Sequence, residues 1–189
     1  MTMVIMAPPY CGLYVLMVVR CCSHKPSLAT QKTREKLMSR FTDEELTYLD
    51  ISWLLVDVND EIAILTTGGT GYIPRTSFVD KEEFDILYTY VDDLPIMTGA
   101  ASGIDVEILL ANHRYTAHEE DLILAEKGLY VFDAMTHLTY NPKQYALVAY
   151  PCEPLKLGDV DARIAPLLKA MRHTGVKLSR SSRIDLSEL

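Results

Sequence analysis

Residues Ile51–Thr67 read ISWLLVDVNDEIAILTT, two apolar runs separated by Asn59-Asp60. Short runs rich in Val, Ile and Trp that are bounded by turn formers predict strands, and Asn-Asp is turn chemistry. The stretch therefore predicts a β-hairpin. Trp53–Val58 and Ile62–Leu65 are nearly unbroken rather than alternating. Strands of that kind are covered on both faces, so packing elements are expected on each side of the sheet.

The rest of the chain supplies them. Thr42 and Glu45 have the spacing of a reciprocal capping box and predict a helix from Asp43 to about Leu49. Asp80 and Glu83 predict a second helix up to Val91, with Phe84, Leu87, Tyr88 and Val91 on one face. Met97–Gly103, MTGAASG, reads as a small-residue loop, and IDVEILLANHR after it as a short helix. Thr116 and Glu119 start another helix, which Gly128 stops as a left-handed cap. LYVFDA (Leu129–Ala134) and YALVAYP (Tyr145–Pro151) are strands, with Asn141-Pro142-Lys143 as the turn before the second. Asp159–His173 predicts a long amphipathic helix with Val160, Ile164, Leu167, Leu168 and Met171 along its inner face. The expected class is α+β, a mainly antiparallel sheet of about four to five strands packed with helices. The expected organisation is an extension over residues 1–40, one domain over 41–178, and a polar tail over 179–189 that frays.

Charge divides the chain. Residues 1–40 carry six basic side chains against Glu35, a balance of +5, while the other 149 residues carry 12 basic against 25 acidic, a balance of −13. An acidic body repels phosphate backbones, so nucleic acid is not an expected partner and a basic protein is. Cys11, Cys21 and Cys22 lie in the extension and Cys152 stands alone in the body, with no CxxC among them. That usage fits a reducing, cytoplasmic compartment and implies neither disulfides nor zinc. Met1–Val19 carries no charge, but Pro8-Pro9 divides it. About ten apolar residues then remain before Arg20, against about 20 for a membrane helix. A tail is favoured over a membrane anchor, and an anchor over a cleaved signal, because no basic residue precedes the apolar run.

Directly after the hairpin comes Thr66–Arg75, TTGGTGYIPR. A glycine loop behind a strand suggests a phosphate cradle, with Thr67, Gly69, Thr70 and Arg75 as the candidate anion- or small-ligand-binding residues. It lacks the lysine of a Walker loop, and Pro74 occupies the third glycine position of a dinucleotide loop. A tight exit from the second strand explains the glycines more simply. Other constellations fall short of catalysis. His113 and His118 are five apart rather than four. Ser102 sits one place late for a nucleophile elbow. Asp133 with His137 fits a turn as well as an acid–base pair. Cys152 has no local motif around it. Asp57, inside an apolar run, needs partners if buried, although Asn59 and Asp60 place it near an exposed hairpin end. No metal or cofactor is implied. Tyrosine is abundant, at 11 residues, and tyrosines beside acids suit protein interfaces.

Three segments, Trp53–Pro74, Gly128–Ala134 and Tyr145–Ile164, together resemble small uncharacterised bacterial proteins of the toxin-immunity type. The resemblance spans about Phe41 to Met171 and its motifs are structural. It implies a cytosolic, non-enzymatic α+β protein that binds a partner. The alternative is an enzyme or a ligand-binding protein that uses the Thr66–Arg75 loop.

Overall fold

The hairpin forms at Asn59-Asp60. Strands β1 (Ser52–Val56) and β2 (Ile62–Thr66) pair antiparallel from Ser52↔Thr66 to Val56↔Ile62. Asp60 takes a left-handed φ of 65° at the turn, and its amide donates to the Asp57 carbonyl at 3.2 Å. The computed structural model describes residues 40–48, 50–74, 80–103, 119–134, 141–181 and 183–188.

Helix α1 (Asp43–Tyr48) opens on the predicted capping box: the Glu45 amide donates to Thr42 Oγ1 at 3.1 Å, and the Thr42 amide to Glu45 Oε2 at 2.7 Å. Helix α2 (Lys81–Asp93) starts where the Asp80 carboxylate accepts the Glu83 amide, and it ends at Leu94, ahead of Pro95. Its apolar face drives it onto the sheet through Leu87 and Val91; burying side chains of this size stabilises by about 1.5–3 kcal/mol each. Helix α3 (Glu119–Glu126) leads to Gly128, whose φ of 90° provides the predicted left-handed stop. Strands β4 (Tyr130–Ala134) and β5 (Gln144–Pro151) follow.

The fold is α+β, with a mixed sheet. Its order is β1-β2-β4-β5-β3, counting β3 (Ala100–Ser102), and β6 (Arg183–Asp185) also pairs with β5. Four pairings are antiparallel, but β2 and β4 run parallel from Ala63↔Tyr130 to Thr66↔Asp133. Between β2 and β4 the chain runs through α2, the far-edge strand β3 and α3, and so long a crossover is what parallel neighbours require. The described residues thus form six strands, more than the four to five expected.

Three local expectations are corrected. Part of MTGAASG is strand β3, because Ala100–Ser102 pair with Ala149–Pro151, and a side chain on Gly103 would run into the Leu147 carbonyl oxygen. The helix expected over Asp159–His173 shortens to α4 (Ala165–Ala170), preceded by a 3-10 turn at Leu157–Asp159. Asp161 Oδ1 accepts the Arg163 amide at 2.8 Å in a side-chain turn, and Pro166 sits in the first turn of α4, so the helix starts late. It ends early because the Met171 carbonyl and the His173 amide bond the backbone of Val56 instead. The C-terminal residues do not form a loose tail: β6 pairs with the start of β5, and Ile184 and Leu186 are buried.

The sheet is covered on both faces, as the unbroken apolar runs predicted. One layer joins Leu54, Val56, Ile62 and Ile64 to Leu87 and Val91 of α2, Ala125 of α3 and Leu168 of α4. The other joins Trp53, Leu55, Leu65 and Phe132 to Leu178, Ile184 and Leu186, with Phe41, Leu46 and Phe84 packed against it. Helix α2 therefore contributes Phe84 to one layer and Leu87 and Val91 to the other. It wraps the outer edge of β1. Among the described residues no helix is long and apolar enough to cross a membrane. The first 39 residues, the stretch IDVEILLANHR and the cap expected at Thr116 lie outside the described residues.

Candidate functional site

The glycine loop is anchored inward at Thr67 and Gly71, while Gly68 and Thr70 are exposed at its tip. Thr67 is fully buried; its Oγ1 accepts the Ile51 amide at 2.9 Å, and its amide donates to the Ile51 carbonyl at 3.0 Å. Its carbonyl accepts the amides of Thr70 at 3.1 Å and Gly71 at 2.7 Å, which closes the turn. Gly68 and Gly69 take left-handed φ values of 54° and 74°, where other residues are strained. Gly71 is required for space, since a Cβ there would lie 2.6 Å from the Tyr145 hydroxyl and 2.9 Å from Thr67 Cα. The Tyr72 amide donates to the Pro142 carbonyl, and the Tyr145 hydroxyl donates to the Tyr72 carbonyl at 2.9 Å. Of the four candidate ligand-binding residues, Thr67 has its hydroxyl in the interior, Gly69 and Thr70 form the turn, and Arg75 lies outside the described residues.

The hairpin end carries a buried carboxylate cluster. Asp57 is completely buried rather than exposed, and three amides hold it: Asn59 at 2.7 Å, Glu61 at 2.9 Å and Leu178 at 3.0 Å. It therefore fastens the hairpin to the C-terminal segment, and sequence proximity to Asn59-Asp60 misled because Leu178 comes from the far end of the chain. Glu61 is also buried, and its Oε2 has no hydrogen-bond partner. Burial, then the charge of Asp57, raises its pKa, while Lys156 pulls the other way. Tyr130, hydrogen-bonded to Glu61, is pushed up to about 12 by burial and by the charges of Glu61 and Asp57. Arg172 pairs with Asp60 at the rim. Burial lowers the pKa of His173. Among the described residues, no group of three His, Cys, Asp or Glu side chains is placed to hold a metal ion.

His113, His118 and His137 lie outside the described residues; Asp133 is half-buried on β4, Ser102 lies within β3, and Cys152 is an exposed free thiol. No nucleophile, base and orienting group are brought together among the described residues.

The third feature has no sequence signature. An apolar crevice lies along the outer edge of β1, with Ser52, Trp53 and Leu54 on the strand itself. Phe41, Leu46 and Phe84 line it from one layer, and Leu87, Val91 and Met171 from the other. Its surroundings are acidic: Glu44, Asp50, Asp85 and Asp92 are exposed. Lys81 is held by Glu45 at 2.7 Å, which together with the Thr42 cap lowers the Glu45 pKa to about 2. Tyr88, 52% exposed, also lines the crevice and stacks on Phe84, while Ile86, 44% exposed, lies on the other side of α2 among its acids. The residues were visible in the sequence as half of an amphipathic helix; that β1 would be the edge strand beneath them was not.

Comparison with protein-family models, curated proteins and solved structures finds no match to this chain.

Proposed function

We propose that this chain is a non-catalytic protein-binding domain whose partner is basic, in the manner of the immunity-type proteins that neutralise a toxin. The observation that carries the reading is the exposed surface of α2: Ile86 stands among Glu82, Asp85, Asp92 and Asp93, all exposed, and half-exposed Tyr88 lines the neighbouring crevice. Apolar and aromatic anchors inside an acidic field give short-range contact area and long-range attraction to a cationic surface. The −13 balance of residues 41–189 strengthens that field. The commitment of the Thr67 hydroxyl to Ile51 supports the same reading, because it withdraws one candidate ligand-binding group of the glycine loop.

The test is retention from a lysate of the native host on the tagged full-length chain, compared with the Asp85→Lys/Asp92→Lys variant. A single basic protein retained in stoichiometric amount, released by salt and lost in the variant, is the expected result. Equal retention by both chains, or none by either, overturns the reading.

A further inference from the structure

We propose that Asp57, Glu61 and Tyr130 form a pH-sensitive latch, which holds the C-terminal segment from Val176 onward against the sheet while Glu61 is protonated and loosens it once the proton leaves. The device stands independently of the protein-binding reading. Its geometry is a joint between the hairpin end and that segment. The Val58 amide donates to the Val176 carbonyl at 3.2 Å, and Asp57 Oδ2 accepts the Leu178 amide at 3.0 Å. Asp57 Oδ1 accepts the amides of Asn59 and Glu61. Glu61 is itself buried, 8% exposed; Tyr130 hydrogen-bonds it from β4, and the Ser179 amide does so from the C-terminal segment. Its Oε2 has no hydrogen-bond partner.

The charges around Glu61 decide which form the closed joint favours. Asp57 is the anion that faces it, and Lys156, paired with it through a backbone bridge, is the facing cation and is exposed. Arg172 is engaged by Asp60 at the turn, Lys177 is exposed on the C-terminal segment, and burial keeps His173 toward its neutral form. Loss of the proton therefore puts a second negative charge beside Asp57, in a place shut off from water, with one exposed lysine against it. Burial and the Asp57 charge hold the proton above the ordinary carboxyl range, and Lys156, Tyr130 and Ser179 oppose them.

The C-terminal segment is the wall that yields. Strands β1, β2 and β4 enclose the cluster elsewhere, and their ladders join five and four residue pairs. The segment is held by a 3-10 turn at Leu178–Arg180, by the three residues of β6, and by the Leu186 amide on the Lys143 carbonyl at 2.8 Å. Short elements with few ladder bonds open at lower cost than central strands. Opening hydrates Glu61 and frees its proton, while it wets Leu178, Ile184 and Leu186 and the layer of Trp53, Leu55, Leu65 and Phe132 beneath them. Because the closed form binds the extra proton, the open-to-closed ratio rises with pH above 4.5 and levels off above the closed-state value. For one proton the rise is at most about tenfold per pH unit. Acidification closes the latch.

The experiment measures amide-exchange protection in the full-length chain, with intrinsic rates divided out, from pH 4.5 to about neutrality. The expected result is protection at Leu178 and Leu186 that lies about tenfold or more below that at Leu65 and falls further as pH rises. Glu61→Gln keeps the shape and has no proton to lose, so it should flatten the slope at Leu178 and Leu186. Lys156→Met, at an exposed position, removes the opposing cation and should carry the decline to higher pH than in the parent. That variant also decides the matter if Glu61→Gln does not fold. Equal protection at Leu178, Leu186 and Leu65 overturns the proposal, because the segment then opens only with the whole domain. Protection that is flat with pH overturns it too, as does a slope that survives in Glu61→Gln or a decline that Lys156→Met leaves where it was.

Discussion

Thr67 Oγ1 accepts the amide of Ile51 at 2.9 Å, inside the protein, one residue before β1 and one after β2. The side chain thereby extends the hairpin ladder past its last strand pair and commits the hydroxyl that a phosphate loop would offer to its ligand.

Removal of that hydroxyl tests the commitment. Thr67→Val keeps the shape and leaves a buried amide without its acceptor, and is expected to lower stability by about 1–3 kcal/mol. Thr67→Ser should cost less than half of that. Urea denaturation of the three chains checks it; equal midpoints for Thr67→Val and the parent would show the bond to be worthless.

Gly71 and Gly158 separate two reasons for glycine. A Cβ on Gly71 meets the Tyr145 hydroxyl at 2.6 Å and backbone at 2.9 Å, while one on Gly158 meets nothing within 4 Å. Gly71→Ala should cost about 1–3 kcal/mol through overpacking, and Gly158→Ala close to nothing. Thermal melts in parallel decide it, and a neutral Gly71→Ala would mean that Tyr145 moves aside freely.

Asp57 binds three amides at once, including that of Leu178. Asp57→Ala strands those donors in the interior and is expected to cost at least about 3 kcal/mol. It should also release the C-terminal segment: faster amide exchange at Leu178 than at Leu65 would report local loss of that contact before global unfolding.

Two buried groups give stability opposite dependences on pH. Glu61 has its pKa raised above 4.5 by burial and by Asp57, so the folded state holds a proton that the unfolded state releases. Its contribution is fully present below pH 4.5 and declines as pH rises through the folded value. His173 has its pKa depressed below 6.5 by burial, so its contribution is present above 6.5 and is lost as pH falls through the folded value. Glu61→Gln should therefore gain stability relative to the parent as pH rises from 4.5 toward neutrality, and His173→Gln should gain relative to it as pH falls from 6.5. Denaturation midpoints across that range, taken as differences from the parent, carry the signs; a Glu61→Gln difference that is flat with pH would contradict the burial of an ionisable carboxylate.

Local chemistry was legible wherever the residues that cause a structure are neighbours in sequence. The Thr42–Glu45 box, the Asp80 cap, the Asn59-Asp60 turn and the Gly128 stop each depend on bonds spanning about four residues or fewer, and each stands where its residues predicted. The unbroken runs of β1 and β2 likewise announced a sheet covered on both sides, because alternation is lost when both faces are dry. Tertiary structure decided the rest. The parallel pairing of β2 with β4, the capture of Val56 by Met171 and His173 that shortens the last predicted helix, the burial of Asp57 by Leu178 and the inward use of Thr67 all join segments distant in the chain. The same holds for the crevice: amphipathic spacing marked the inner face of α2, but only the sheet order left β1 at the edge beside it. Strand propensity is a property of a segment, whereas edge position and register follow from which segments compete for the same backbone hydrogen bonds once the chain has collapsed.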